Sequence, residues 1–147
     1  MGPCEGHSFQ TGTLIGLAQI RGNMNKTFGV QGWLERDPND EWEVMMQKVA
    51  KFHAKHDFEH QNGHDMGYRL ALTIEELGEL AAAVTKGKPI EACAEEMADV
   101  LILLLGHSLA MEIDLKAAFE KKYERIMQRP SRQGRLGVRV TEYTDQS

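Results

Sequence analysis

Apolar residues recur with a helical period from about residue 40 to residue 129, and polar breaks divide this stretch into four segments. Asp40 stands before acidic residues and the run WEVMMQKVAKFHAKH, which is typical of a capped helix start. The QNG break at 61–63 and the TKGKP turn at 85–89 separate the next segments. Four helices are therefore predicted, over about 40–56, 65–86, 90–111 and 115–128.

The two ends of the chain lack this period. Residues 1–39 hold seven of the fourteen glycines and are interpreted as an irregular N-terminal arm or leader. Within them, TLIGLAQI (13–20) fits either an arm that lies on a partner subunit or a leader, and the sequence does not separate the two. Residues 131–147 are expected to form an irregular tail or a short edge segment. The functional domain is placed at 40–130.

The third helix carries a prediction about assembly. It is apolar almost all round from Val100 to Leu105, and a helix of this kind needs partners on every side. With short connections and no convincing strand before the tail, the predicted class is all-α, a bundle of four to five helices. Four helices of one chain hardly surround such a helix, so a homodimer or tetramer is expected.

Charge and composition narrow the functional classes. The net charge is −5 and the pI is near 5.7, so there is no overall positive field to attract nucleic acid or an anionic membrane. Cys4 and Cys93 give neither a disulfide framework nor a CxxC motif, which favours a reduced, cytoplasmic protein. The longest apolar run is too short to span a bilayer. We expect no nucleic-acid partner and no membrane partner.

Carboxylates interrupt two strips that are otherwise apolar or small. EELGEL (75–80) places Glu76 and Glu79 on one strip, and EEMADV (95–100) places Glu96 and Asp99 on another. An exposed acidic face usually has Lys or Arg four residues further on, but apolar or small residues stand there. Unpaired carboxylates in a cleft are costly, and a divalent cation removes the cost. Oxygen ligands without His or Cys favour Mg²⁺, or Mn²⁺, over zinc.

The main apolar stripe of the second helix is separate from its acids and comprises Leu70, Ile74, Leu77, Ala81 and Val84. Glu75 and Glu95 fall in a different sector from the four acids above. Two interpretations of this pair stay open: they are exposed helix acids, or they position or deprotonate a water molecule.

The double motif, EExxE at 75–79 and EExxD at 95–99 with fifteen residues between them, resembles the all-α nucleoside triphosphate pyrophosphohydrolases of the MazG-like superfamily. KVAKFHAKH (48–56) is similar to the helix that opens these domains, and residues 111–130 are similar to the closing helix. The resemblance covers about residues 40–130.

This resemblance implies Mg²⁺-dependent cleavage of a nucleoside triphosphate between the α and β phosphates. The products would be pyrophosphate and an NMP or dNMP, in the service of nucleotide-pool housecleaning. Matched residue by residue, the ligands of Mg²⁺ would be Glu76, Glu79, Glu96 and Asp99. Glu75 or Glu95 is the candidate for orienting the attacking water.

Basic residues near both acidic helices are candidates for binding the phosphate tail. They are Lys86 and Lys88 in the turn after the second helix, and Lys122, Arg125 and Arg129 along the fourth. In the resembled superfamily, basic residues of the closing helix contact phosphates; ordinary solvated cations are the alternative. Members commonly carry an Asn where Ile126 stands here, so the identity of the substrate is open.

Four histidines, His53, His56, His60 and His64, follow one another at spacings of 3, 4 and 4. Such spacing can assemble a zinc site on a helix, but the break before QNG favours ordinary histidines. His53 or His56, with Trp42 and Phe52, is instead a candidate for flanking a nucleobase. Trp42 and Phe52 also suit the core.

Two alternatives to a nucleotide housecleaning enzyme stay open. One is a phosphoribosyl-ATP pyrophosphohydrolase of histidine synthesis, which is similar to the superfamily in fold and chemistry. The other is a non-catalytic, metal-binding helical interaction protein. A di-iron carboxylate protein is disfavoured, because helices two to four carry no Glu-x-x-His motif.

Overall fold

A computed structural model of the protein describes residues 28–141, and they are helical apart from one small hairpin. The helices are α1 (Val30–Leu34), α2 (Glu41–Lys55), α3 (Met66–Thr85), α4 (Ile90–Ala110) and α5 (Leu115–Met127). Strands β1 (Ser131–Gly134) and β2 (Gly137–Val140) pair antiparallel. The predicted all-α class is confirmed. The segment 13–20 and Cys4 lie outside the described residues.

Local side-chain bonds explain why the predicted and observed helix ends agree. Asp40, Asp65 and Asp114 each accept a hydrogen bond from the backbone amide three residues further on, at 2.9, 2.8 and 3.0 Å. Each such cap stabilises its helix by about 1 kcal/mol. Gly87, at φ 63°, ends α3 in the left-handed conformation, and the amide of Lys88 donates to the carbonyl of Ala83.

The core lies between α1, α2 and α4. Its buried residues are Trp33, Met46, Val49, Ala50, Leu105 and Leu109. Trp33, for which the sequence suggested no role, donates from Nε1 to the carbonyl of Phe28, and the guanidinium of Arg36 lies 3.9 Å from its ring centroid. The helix that carries Trp33 was not predicted, because five residues contain too few turns to show a period.

Helices α3 and α4 form the most extensive helix pair, and the short turn between them makes them antiparallel. The main apolar stripe of α3 does not face α4: Leu70, Ile74, Leu77 and Val84 are 47–71% exposed. The residues of α3 that are buried are Arg69 and Ala83. Helix α3 therefore packs on α4 through the side that carries Arg69 and Ala83. Its apolar stripe stays on the surface of residues 28–141.

Helix α5 stands apart from this arrangement. It has no buried residue, and it makes no extensive contact with α3 or α4. The rings of Phe119 and Tyr123 stack on each other at 6.2 Å and are exposed. The C-terminal segment, expected to be irregular or a short edge segment, pairs with itself as the β1–β2 hairpin, and every residue of both strands is exposed. None of the helices in residues 28–141 is long and apolar enough to cross a membrane.

Candidate active site

Three carboxylates meet between α3 and α4. Glu76 comes from α3, while Glu96 and Asp99 lie three residues apart on one face of α4. One carboxylate oxygen from each of the three residues can be chosen so that all three oxygens lie within 4.8 Å of one another. The antiparallel helix pair therefore brings together acids from both halves of the double motif.

We call Glu76, Glu96 and Asp99 the acid cluster, and its three side chains carry charge of the same sign. Partial desolvation, with the charges of Asp99 and Glu79 next in importance, raises the pKa of Glu76 above its ordinary value. Within residues 28–141, none of the three carboxylates forms an ion pair with Lys or Arg. A cation from solution would relieve the repulsion.

The donor set suits a hard divalent cation. It consists of carboxylate oxygens alone, which are the ligands that Mg²⁺ and Mn²⁺ prefer, and it offers no nitrogen or sulfur for zinc. Oxygens bound to Mg²⁺ at about 2.1 Å lie roughly 3–4 Å from one another. The three oxygens, all within 4.8 Å of one another, are spaced on the scale of such a sphere.

The other predicted acids lie around this cluster. Glu79 is exposed three residues beyond Glu76 and contributes to its raised pKa, but it is not one of the three residues that meet. Glu75 and Glu95 are also exposed, and Glu75 adds to the same effect on Glu76. The assignment of Glu79 to the metal and of the other two acids to the water stays a prediction.

The basic candidates are less well placed within one chain. Lys86 and Lys88 are exposed in the turn after α3, at the opposite end of that helix from Arg69. Lys122 and Arg125 are exposed on α5, and Arg129 is partly buried just beyond it. Because α5 does not pack extensively on α3 or α4, the fold does not seat its basic strip against the acid cluster.

The four histidines do not converge on one site. His53 is 2% exposed, and its Nδ1 lies 3.0 Å from Nε2 of His64. Burial, followed by the charge of Arg69, lowers the pKa of His53 to about 3, so its ring is neutral. His56 is exposed, and His60 bonds to Asp57 at 2.6 Å. In the part of the chain that the structure describes, the acid cluster is the group suited to a metal ion.

A cleft of about 300 Å³ lies one helical turn from the acids. It is lined in part by Leu72, four residues before Glu76, and by Leu103, four residues after Asp99. Aromatic and polar groups line the rest, among them Phe52, His53, His56, Phe58, Tyr68 and Arg69. Phe52, His53 and His56 were candidates for flanking a nucleobase, whereas Trp42 packs against the core.

A second cleft, of about 580 Å³, includes Asp99 in its wall. It runs between α2 and α4 and is mostly apolar, and Lys48 of α2 lines it as well. Sequence reasoning missed Lys48, because one lysine on an amphipathic helix carries no signal. It also missed the buried Arg69, although a charged residue on the inner strip of α3, three residues before Leu72, was a signal in principle.

Comparison with protein families supplies the identity that the geometry alone lacks. The model of the phosphoribosyl-ATP pyrophosphohydrolase family matches residues 43–125, more than half of the 147 residues, and the match includes all of α3 and α4. Neither the curated proteins nor the solved structures gave a match. The chain therefore belongs to the phosphoribosyl-ATP pyrophosphohydrolase family, within the MazG-like all-α superfamily, and is a hydrolase that acts on phosphoric anhydrides.

Proposed function

We propose that the protein is a Mg²⁺-dependent nucleoside triphosphate pyrophosphohydrolase, which cleaves between the α and β phosphates and releases a monophosphate and pyrophosphate. The observation that carries the proposal is the acid cluster, whose three carboxylates converge within 4.8 Å and have no basic partner within residues 28–141. Family membership gives the reaction class.

Glu76, Glu96 and Asp99 would hold the cation, and Glu79, one turn beyond Glu76 on α3, is the further candidate ligand. When bound, Mg²⁺ or Mn²⁺ neutralises phosphate oxygens and the charge that grows on the leaving pyrophosphate. Glu75 or Glu95 accepts a hydrogen bond from the attacking water and orients it towards the α phosphorus. Protonation of Glu76 competes with the cation, so metal affinity falls as the pH falls through its raised pKa.

The two ends of the substrate need different surroundings. We assign the phosphate tail to Lys86, whose charge complements it. Lys122, Arg125 and Arg129 stay predicted phosphate ligands, although within residues 28–141 the fold does not seat α5 against the acid cluster. We assign the nucleobase to the aromatic cleft, where Phe52 and Phe58 lie edge to face at 5.3 Å. His53 contributes to that cleft as a neutral ring held by His64, so it meets the base without a charge.

Phosphoribosyl-ATP is the second candidate substrate, favoured by the name of the matching family. The chemistry at the acid cluster is the same for both candidates, because both substrates present a triphosphate. The non-catalytic alternative is not favoured, since the matching family is one of pyrophosphohydrolases.

A substrate panel tests the proposal. The full chain is incubated with Mg²⁺ and ribo- and deoxynucleoside triphosphates, modified nucleotides or phosphoribosyl-ATP, and the products are separated by anion exchange. Glu79→Ala and Asp99→Asn are the site variants, and Glu91→Gln is the matched control, because Glu91 is an exposed acid of α4 outside the cluster.

Monophosphate and pyrophosphate in the wild type and in Glu91→Gln, with loss in Asp99→Asn, are the expected results. Turnover of phosphoribosyl-ATP alone would select the second candidate. Release of single phosphates, or full activity of Asp99→Asn, would contradict the assignment of the reaction to this cluster.

We also propose that a second copy of the chain covers the exposed stripe of α3 and the exposed apolar side of α4. Ile74 is 71% exposed, and Leu101 and Leu104 are 41% and 49% exposed, which is an unusual amount of apolar surface for a lone chain. Sedimentation at several concentrations should show a dimer or tetramer in the wild type and a smaller species in Ile74→Asp. A wild-type monomer at high concentration would contradict this proposal.

Cytoplasmic location and a housecleaning role remain expectations.

A further inference from the structure

One to two turns from the acid cluster, α3 and α4 are joined by hydrogen bonds between buried and half-buried polar side chains. The Nε of Arg69 donates to Nδ1 of His107 at 2.9 Å. The Oγ1 of Thr73 donates to the carbonyl of Arg69 at 2.9 Å and lies 2.8 Å from Nε2 of His107. Arg69 is 2% exposed and His107 is 9% exposed, so the bond between them is shielded from water, while Thr73 is half-buried.

The protons of these groups can be assigned. His107 Nδ1 faces an N–H of Arg69 and must accept, so the ring proton of the neutral imidazole is on Nε2. That proton is donated to Thr73, whose own hydroxyl proton goes to the carbonyl of Arg69. If the ring proton were on Nδ1 instead, the N–H of His107 and the N–H of Arg69 would face each other as two donors. Arg69, Thr73 and His107 therefore form a closed hydrogen-bond ring with a single proton arrangement.

The remaining nitrogens of Arg69 extend the connection. Nη1 donates to the carbonyl of Gly63 at 2.9 Å, and Nη2 donates to the carbonyl of Leu103 at 3.2 Å. The guanidinium thus ties the loop before α3 to the backbone of α4. All of these partners are neutral acceptors, which keep the buried charge satisfied without a carboxylate.

Packing is tight where the ring meets the backbone of α4. A Cβ added to Gly106 would lie 2.2 Å from Nη2 of Arg69 and 2.7 Å from Nε2 of His53. The glycine is needed because the guanidinium lies directly against the backbone of α4. Contact at Gly106 limits how closely the two helices approach at this level, and the hydrogen bonds limit how far they separate.

The position of the ring relative to the acids suggests its use. Thr73 is three residues before Glu76, and His107 is eight residues after Asp99, so the ring begins one turn from the cluster on α3 and lies about two turns from it on α4. The carbonyl of Leu103, which accepts from Arg69, is one turn from Asp99. Glu76 on α3 and the acids of α4 repel each other across the same gap. We propose that Arg69, Thr73 and His107 are positioning residues, which hold α3 and α4 at the spacing that the three carboxylates need to bind one cation.

This inference rests on the proposed metal site, and a direct binding measurement separates the two. Mn²⁺ binding to the full chain is followed by electron paramagnetic resonance of the free ion, with folding checked by circular dichroism. Thr73→Val removes two bonds of the ring at nearly constant volume, and Thr73→Ser keeps the hydroxyl. The control is Thr85→Val, because Thr85 makes the same bond to the carbonyl four residues earlier but none to α4.

Thr73→Val is expected to weaken Mn²⁺ binding about tenfold, as loss of outer groups around a metal site does. Thr73→Ser and Thr85→Val should bind as the wild type does. The Mg²⁺ concentration for half-maximal turnover should rise in Thr73→Val, with kcat recovered at saturating Mg²⁺. If Thr73→Val does not fold, His107→Asn is measured in its place.

Equal Mn²⁺ affinity in folded Thr73→Val and the wild type would overturn the positioning role while leaving the metal site intact. A wild type that binds Mn²⁺ no better than Asp99→Asn would instead show that the cluster holds no cation, and both proposals would fail.

Discussion

The stretch of the α3–α4 pair from Arg69 to the acid cluster carries charges of opposite sign at its two ends and treats them in opposite ways. Near the start of α3, the positive guanidinium of Arg69 is buried and bonded through Nε, Nη1 and Nη2 to neutral acceptors. Two turns further along α3, at the other end of this stretch, the acid cluster is partly exposed and has no basic partner within residues 28–141. Charge that is satisfied internally holds the helices together, whereas charge left unsatisfied is available to a ligand.

The comparison also separates stability from activity. Burying a charged group without partners costs several kcal/mol, so the bonds of Arg69 must be retained for folding. Repulsion among the acids lowers stability in the absence of a cation, so these residues serve activity at some cost to the fold. Variants at the two ends should therefore differ in kind.

The largest expected effect is at the acid end. Asp99→Asn keeps the shape of the side chain and removes one of the three negative charges, so turnover should fall at least about 1,000-fold, or ~4 kcal/mol. The same change relieves repulsion and should not lower the melting temperature of the metal-free protein. Pyrophosphate release and thermal unfolding measure the two effects, and a strongly destabilised Asp99→Asn would remove the distinction between the ends.

The next effect is at the positive end. Arg69→Met fills similar space but leaves the Nδ1 of His107 and the carbonyls of Gly63 and Leu103 without their donor. We expect a loss of about 3 kcal/mol in the free energy of unfolding. Urea unfolding of the metal-free protein measures it. A variant as stable as the wild type would mean that these bonds contribute nothing net to folding.

Gly106→Ala should cost about 2 kcal/mol, because its methyl group would overlap the guanidinium of Arg69. Gly78→Ala is the matched control, since nothing lies within 4 Å of the added methyl group on α3. There, alanine should stabilise the helix by up to ~1 kcal/mol. Equal effects of the two substitutions in urea unfolding would contradict the close approach at Gly106.

The smallest effect, taken per pH unit, is a dependence of stability on pH. Burial lowers the pKa of His53 from its ordinary 6.5 to about 3. Below pH 6.5, His53 therefore binds a proton in the unfolded chain but not in the folded chain. Stability should therefore fall as the pH falls from about 6.5 towards 3, by at most ~1.4 kcal/mol per pH unit for this residue.

Urea unfolding at several pH values measures this slope, and His53→Gln should reduce it. His60→Gln is the control, because the hydrogen bond to Asp57 raises the pKa of His60 and gives an effect of opposite sign. An unchanged slope in His53→Gln would mean that His53 titrates normally in the folded protein.

The helices and the acid cluster were predictable because their signals are local or periodic. A capping Asp, a helix-ending Gly and two acids three residues apart are all visible in the sequence of one or two helical turns. Of the four acids that the family resemblance implied as metal ligands, the fold brings together Glu76, Glu96 and Asp99 but not Glu79, and their role as ligands stays a prediction.

What the sequence did not reveal depends on partners distant in the chain. The bond of Arg69 to His107 joins residues 38 positions apart in the chain. No periodic pattern in a sequence predicts a buried guanidinium that is bonded to neutral acceptors. The apolar stripe of α3 indicated a core, yet Leu70 and Ile74 are exposed, because within residues 28–141 α3 packs on α4 through a different side.

Helix α5 has a consequence for experiments on the protein in solution. It contains 13 residues and buries none of them, and an isolated helix of that length is barely stable in water. In a lone chain its amide protons should exchange with deuterium almost freely, while those of the buried end of α4 exchange only on global unfolding. Slow exchange in α5 would thus indicate that another surface covers it. If that surface belongs to a second copy of the chain, dilution of the protein should speed up the exchange.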